Sequence, residues 1–361
     1  MRAAYFLFFL GFLTGSLAWS GSTPREALLV LSKGDHTLAI VDPSNLQVVA
    51  KAPVGEDPHE VIASADGTYA YVSNYGGGAY NTLALIDLIN QKALPSINLG
   101  PLRGPHGLVF AGGKTWFTAE AAKAIGRYDP TTKTVDWILG TGQNRTHMIF
   151  VSEDLQRIYT TNVSSGTVSI IEKSKRPLFG SPPPGIGPRG PGNGPSGPPP
   201  GRRPGPMGPP GGDWDETVVA VGKGAEGFDV APNGKELWAA NAQDGTISII
   251  DLTTKKVTDT LAANVPGANR LKFTPDGRLV LISSLGGSGL AVLDAASHRE
   301  VKRIALGHGA AGIQMQPDGS RAYVACTGGN YVAVIDLKTL EITGRINAGP
   351  EPDGLAWAVR R

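Results

Sequence analysis

The chain predicts an all-β fold: a seven-bladed β-propeller of four-stranded blades, closed into a ring by its last strand. Three observations carry this expectation. An apolar strand ending in an acidic residue recurs seven times, the recurrences are almost evenly spaced, and the two chain ends hold complementary parts of one blade.

The recurring strands are LAIVD ending at Asp42, LALID at Asp87, IGRYD at Asp129, VSIIE at Glu172, ISIID at Asp251, LAVLD at Asp294 and VAVID at Asp336. Their spacings are 45, 42, 43, 79, 43 and 42 residues, and a Pro/Gly-rich tract accounts for the long one. Each repeat then reads in the same order. A short turn such as DLTTKK leads to an alternating strand and a Gly/Pro-rich crossing such as VGEDPHE. An apolar strand, a tight turn such as PNG or PDG, and a strand such as AYVSN or LWAAN follow. Four short strands in about 43 residues are the pattern of a propeller blade, whose alternation buries one face of each sheet on the next.

The ends complete the ring. Residues 28–31, 38–41 and 48–52 supply three strands, and the terminal DGLAWAV is expected to join them as the innermost fourth. Closure matters because Cys326 is the sole cysteine, so no intrachain disulfide can hold the fold. An open solenoid, the alternative, would leave both ends exposed. The 49 glycines, 28 prolines and 18% charged residues suit a fold rich in tight turns.

Two segments stand apart from the propeller, which is expected over 24–361. Residues 1–20 read as a secretory signal peptide. Arg2 is a minimal basic start, residues 3–13 are an apolar run too short to span a bilayer, and Ala18, Ser20 or Ser22 offer cleavage. No cysteine follows to carry a lipid. The mature protein is therefore expected to be exported, periplasmic or extracellular, monomeric, and without a transmembrane segment. Residues 176–212 hold 14 of the prolines and little to bury, so a disordered, polyproline-like insert is expected within one blade. It reads either as a tether for a partner or cell-surface polymer, or as a tolerated loop insertion. Removing Arg2 and the insert's arginines (Arg176, Arg189, Arg202 and Arg203) takes the formal net charge from +2 to −3. Nothing in that balance suits a nucleic-acid partner.

Aligning the crossings places one residue per blade at the start of each inner strand: His59, His106, His147, Glu226, Asn269, Ala311 and Asp353. These are expected to ring one mouth of the central channel. His308 falls in the crossing before Ala311 and His36 in a loop on the same face; His298 alone among the histidines does not map there. Imidazoles converging from adjacent blades can bind a divalent metal, with a carboxylate completing the site, so His59, His106, His147 and Glu226 are candidate ligands. Polar lining of a water-filled channel is the alternative. Arg270, beside the ring, can meet an anion, and Asp353 completes the circle next to His59. A second ring is expected at the ends of the second strands: Asn74, Asn162, Asn241, Ser284 and Cys326, with Lys33 from the first blade. Asn74, Asn241 and Tyr75 are candidate ligand contacts, with Tyr80 as a further aromatic wall. Metalloprotease, phosphate-loop and nucleophile-elbow motifs are absent from the sequence.

The strands YVSN, YTTN and WAAN, with IIDLTTKKV and VIDLKTLEI, resemble the YVTN-repeat (YncE-like, lactonase-like) seven-bladed β-propellers over nearly the whole mature chain. That resemblance implies the fold and leaves the chemistry open, because these propellers include enzymes and binding scaffolds alike. One blade, GPHGLVFAGGKTWFTAEAAKAIGRYDP, is similar to a repeat of the virginiamycin B (streptogramin) lyases. The similarity implies a metal-assisted elimination in which His106 and Glu120 are catalytic. The Gly-Gly turn is two residues shorter than its siblings, however, and puts Ala119 rather than Glu120 in register with Asn74.

Two classes of function stay open. The first is an exported binding module for a small molecule, peptide or polymer. The second is a metal-dependent lyase or lactonase built on the mouth histidines. Histidine rings that hold copper or haem in related propellers add a redox accessory as a further alternative; without CxxCH the haem would not be covalent.

Overall fold

The computed structural model describes residues 21–174, 214–307 and 309–361. The signal-peptide expectation, the 176–212 insert and His308 lie outside the described residues. Each strand predicted from the repeats forms. Seven four-stranded antiparallel sheets follow one another around a ring, each with its first strand innermost. The exception in connectivity is the first blade, where Pro352–Val359 pairs antiparallel with Glu26–Ser32 and becomes the inner strand. The ring is therefore closed by the two chain ends, as expected, and among the described residues no helix is long and apolar enough to cross a membrane. The strands flanking the insert, Thr167–Lys173 and Trp214–Ala220, pair with each other as third and fourth strands of the fourth blade.

The repeated acid is a turn device. Asp251 accepts the backbone N–H groups of Thr253 (3.0 Å) and Thr254 (2.6 Å), and Asp42, Asp129 and Asp336 cap the same turn in their blades. The fourth residue after the acid is left-handed, as at Lys255 (φ 55°) and His298 (φ 59°), which seats His298 on the face away from the mouth.

The inner strands all share one irregularity. In every blade the register against the second strand slips by one residue at the ring position, so two inner-strand residues oppose one partner. Such a bulge re-aims side chains and sharpens the twist. Here it turns the ring residue into the channel. In four blades the second bulged residue is glycine, because the neighbouring blade comes too close for a Cβ. An added Cβ would lie 2.5 Å from His147 O at Gly107, 2.3 Å from Asn269 O at Gly227, 2.2 Å from Asp353 O at Gly312 and 2.4 Å from His59 O at Gly354. Hydroxyls lock the same seam: Gly107 N–H donates to Thr118 Oγ1 (2.8 Å), which donates to His147 O (2.6 Å).

Gly107→Ala is therefore expected to cost about 1–3 kcal/mol by chemical denaturation, the range for overpacking a close contact. Gly140→Ala, at an edge with nothing near the added Cβ, should leave stability unchanged or slightly raised. Equal effects from the two would remove the steric argument.

Candidate functional site at the channel mouth

All seven ring residues line one cavity of about 350 Å³, together with Tyr75, Arg145, Arg270, Lys33 and Glu351. The ring inferred from the crossings is thus one physical surface. Its histidines stack in sequence around the wall: ring centroids are 4.8 Å apart for His59 and His106, and 3.8 Å apart for His106 and His147.

Glu120 also belongs here. Its register is the one anticipated, since Ala119 pairs with Pro105 as Asn74 pairs with Pro58, leaving Glu120 just past the strand. That is the position of Tyr75 in the second blade, and from it Glu120 turns inward. It is buried, and it accepts hydrogen bonds from Tyr75 Oη (2.5 Å) and Arg145 Nε (3.2 Å) and bonds His147 Nδ1. His147 Nε2 faces Glu226 Oε2 at 2.7 Å, an ionic contact without hydrogen-bond alignment. His147 is thus held between two carboxylates. Burial opposes its charge, but Glu226 and Glu120 outweigh burial and raise it to about 9. Burial would push Glu226 upward; His147, with Arg270 and Arg145, instead brings it to about 2. Burial against Glu120 raises Tyr75 to about 12, so its hydroxyl stays a donor.

His106 has the opposite fate. It is buried, its Nδ1 has no hydrogen-bond partner, and burial with the charge of His147 holds it well below the usual imidazole range. It is neutral with a lone pair to offer. His106, Glu120 and His147 place one ligand atom each within 4.8 Å of one another, all buried. That trio takes Glu120 where the sequence suggested His59 and Glu226.

His59 sits in a second group. Its Nε2 lies 2.9 Å from Lys33 Nζ and 3.0 Å from Asp57 Oδ1, and its Nδ1 is 3.7 Å from Asp353 Oδ2. Burial lowers it, with Lys33 adding to the effect against the pull of Asp353. Burial raises the Asp353 carboxyl in spite of its cationic neighbours. Arg270 and Glu60, each the second or neighbouring residue of a bulge, meet across the channel from the sixth and second blades.

The asparagine ring lies behind the cavity wall. Asn74 donates to Thr82 Oγ1 (3.1 Å), and Asn241 donates to Thr246 Oγ1 (2.9 Å) and Ser248 Oγ (3.0 Å), so each ties strands of its own blade together. The residues that face the cavity come one position later, as with Tyr75, Leu285 and Thr327. Tyr80 is exposed and bonds Glu56 instead (2.7 Å). Cys326 is buried among apolar neighbours.

Arg145, Asp57 and Glu351 are mouth residues that the crossings contained and the sequence reading passed over. Two residues before each ring position the backbone is left-handed. Four blades use glycine there: Gly104, Gly224, Gly267 and Gly309. The others use Asp57 (φ 49°), Arg145 (φ 55°) and Glu351 (φ 51°), charged residues in a conformation that costs an L-residue about 1–2 kcal/mol. Charge where siblings keep glycine was the available signal.

Four-stranded repeats, ring closure and a polar channel mouth define the class, a seven-bladed β-propeller. Residues 213–321 match the family described as YNCE-like beta-propeller, so over that stretch the chain is similar to that family. No curated protein matches the chain. Among solved structures it is similar to a functionally unknown protein from Desulfotomaculum acetoxidans DSM 771, with 11% identity, 93% of this chain and 99% of that one covered, and a TM-score of 0.68. A putative 6-phosphogluconolactonase from Bacteroides uniformis ATCC 8492 aligns at 14% identity over 93% and 100% of the two chains, TM-score 0.68. Kuenenia stuttgartiensis hydrazine synthase aligns at 15% identity over 83% and 89%, TM-score 0.61. At these identities the likeness is one of fold.

The His147 pair makes metal-free stability pH-dependent. A group raised from 6.5 to about 9 stabilises fully below pH 6.5 and loses that contribution as pH rises through about 9. The melting temperature of EDTA-treated protein should fall between pH 6.5 and 9. Glu226→Gln should flatten that fall, and an NMR titration of the His147 ring should move toward neutral pH. An unchanged pH profile in the variant would remove the carboxylate account.

Proposed function

We propose that the protein is an exported β-propeller that holds a divalent metal at its channel mouth and binds a small ligand beside it. The single observation that carries the reading is the buried trio of His106, Glu120 and His147, whose ligand atoms lie within 4.8 Å of one another, with His106 neutral and its Nδ1 unpartnered. Two imidazoles and a carboxylate are a donor set for zinc or a similar borderline divalent ion, and a site of three protein ligands would keep a further position for water or a ligand. Tyr75 and Arg145 hold Glu120 as outer partners. Residues 1–20 support export by their signal-like pattern.

A second reading, a metal-dependent lyase or lactonase, draws on His59. It is neutral, adjacent to His106, and outside the trio. A base in that place can accept a substrate proton and pass it toward Asp57 or Asp353, while a bound metal would supply polarisation of a carbonyl.

Metal analysis of untagged purified protein should find about one divalent ion per chain, in the manner of a single site. His106→Ala and His147→Ala should each lose it while keeping the β-sheet spectrum. Binding must displace the His147 proton, so affinity should rise roughly tenfold per pH unit below its pKa, which lies at about 9. Folded protein that takes up no zinc or manganese at any pH would sink the metal reading. Turnover of cyclic esters that disappears in His59→Gln, with metal retained, would favour the enzyme.

A further inference from the structure

We propose that the ligand of this cavity carries an oxyanion on an apolar body, and that Arg270 receives the oxyanion. The inference rests on the mouth being a ligand site but not on a metal being there. Arg270 is 7% exposed and forms part of the cavity wall. Its guanidinium offers five N–H donors in one plane. Glu60 takes only one edge: Nε at 3.2 Å and Nη2 both reach Oε1. Nη1 is buried with no partner. A guanidinium half-satisfied by one carboxylate is matched by a second oxyanion, which can accept in the same plane.

Arg270 also feels Asp353 and Glu226, but each of these carboxylates has its own cationic partner. Glu226 is engaged with His147, and Asp57 and Asp353 with Lys33 and His59. Arg145 pairs with Glu120 through Nε and keeps its side chain 43% exposed at the rim. Arg145 and Lys33 are the other cationic side chains of the lining beside His147, with Glu351 as a further acid. The wall is not polar throughout. Leu285 follows the sixth blade's second strand and is 48% exposed at the cavity, and Tyr75 presents its ring among those of His59 and His106. An exposed leucine and a half-satisfied arginine on one cavity wall suit an amphiphilic acid.

The probes are benzoate and phenyl phosphate, which separate a carboxylate from a phosphate ligand, and benzamide as the neutral control. Binding is measured calorimetrically on the full chain, before and after EDTA treatment. Benzoate or phenyl phosphate should bind at least tenfold more tightly than benzamide, and Arg270→Lys should remove most of that difference. Because Arg270 is buried and its variants can unfold, Leu285→Glu provides an exposed second test: it removes the apolar contact from all three probes and adds repulsion only for the anions, so it should weaken the anions severalfold more than benzamide. The His106→Ala/His147→Ala protein should keep anion binding when metal-free. Anion binding without metal uptake would defeat the metal reading and leave this one standing. Metal uptake with benzamide bound as well as benzoate, or with no anion bound up to tens of millimolar, overturns this one alone.

Discussion

Everything at the mouth depends on one extra residue in each inner strand. A regular strand would send neighbouring side chains to opposite faces, into one blade interface and then the other. The bulge breaks that alternation at the channel end, seven times over, and gives each blade a side chain that faces the axis. The sheets below it can then remain ordinary apolar sandwiches. The same slip draws the inner strands together until backbone meets backbone, which is why glycine follows the ring residue in four blades. Site and seam are thus one structure, and chemistry at the mouth is tied to the packing of the ring.

The clustered ions obey a simple competition. Burial alone would neutralise every group at the mouth. Two flanking carboxylates keep the charged state at His147, whereas at His59 burial and Lys33 override Asp57 and Asp353. Where histidines face histidines, the charged state is lost, as at His106. Two adjacent imidazoles in opposite protonation states result from their second neighbours and not from their own depth. A cation bound between them would replace the proton that now balances Glu120 and Glu226.

The fold was legible because each repeat prints the same constraints: an acid to cap a turn, alternation to fill a sandwich, glycine at a close approach. The ring was legible for the same reason, since a crossing of nearly constant length keeps His59, His106 and His147 in phase. What the sequence hid was side-chain reach across blades. Glu120 lies one residue beyond its strand, and only the positions of Tyr75 and His147 in neighbouring blades show which way it turns. At Asn74 and Asn241 the sequence could not show that the amide N–H groups are taken by hydroxyls of the adjoining strand, leaving only the buried Oδ1 atoms without a partner. Glu60 and Arg270, separated by 210 positions, have no local signal at all.

That last pair acts on the ring as a strut. The second and sixth blades flank the stretch of ring in which the two chain ends meet, and the ion pair ties them across the bore. The closing strand is held to its sheet by Glu26–Ser32 on one side only. A molecule that draws Arg270 toward itself competes with Glu60 for the guanidinium, so occupancy of the mouth should be felt at the contact between the second and sixth blades.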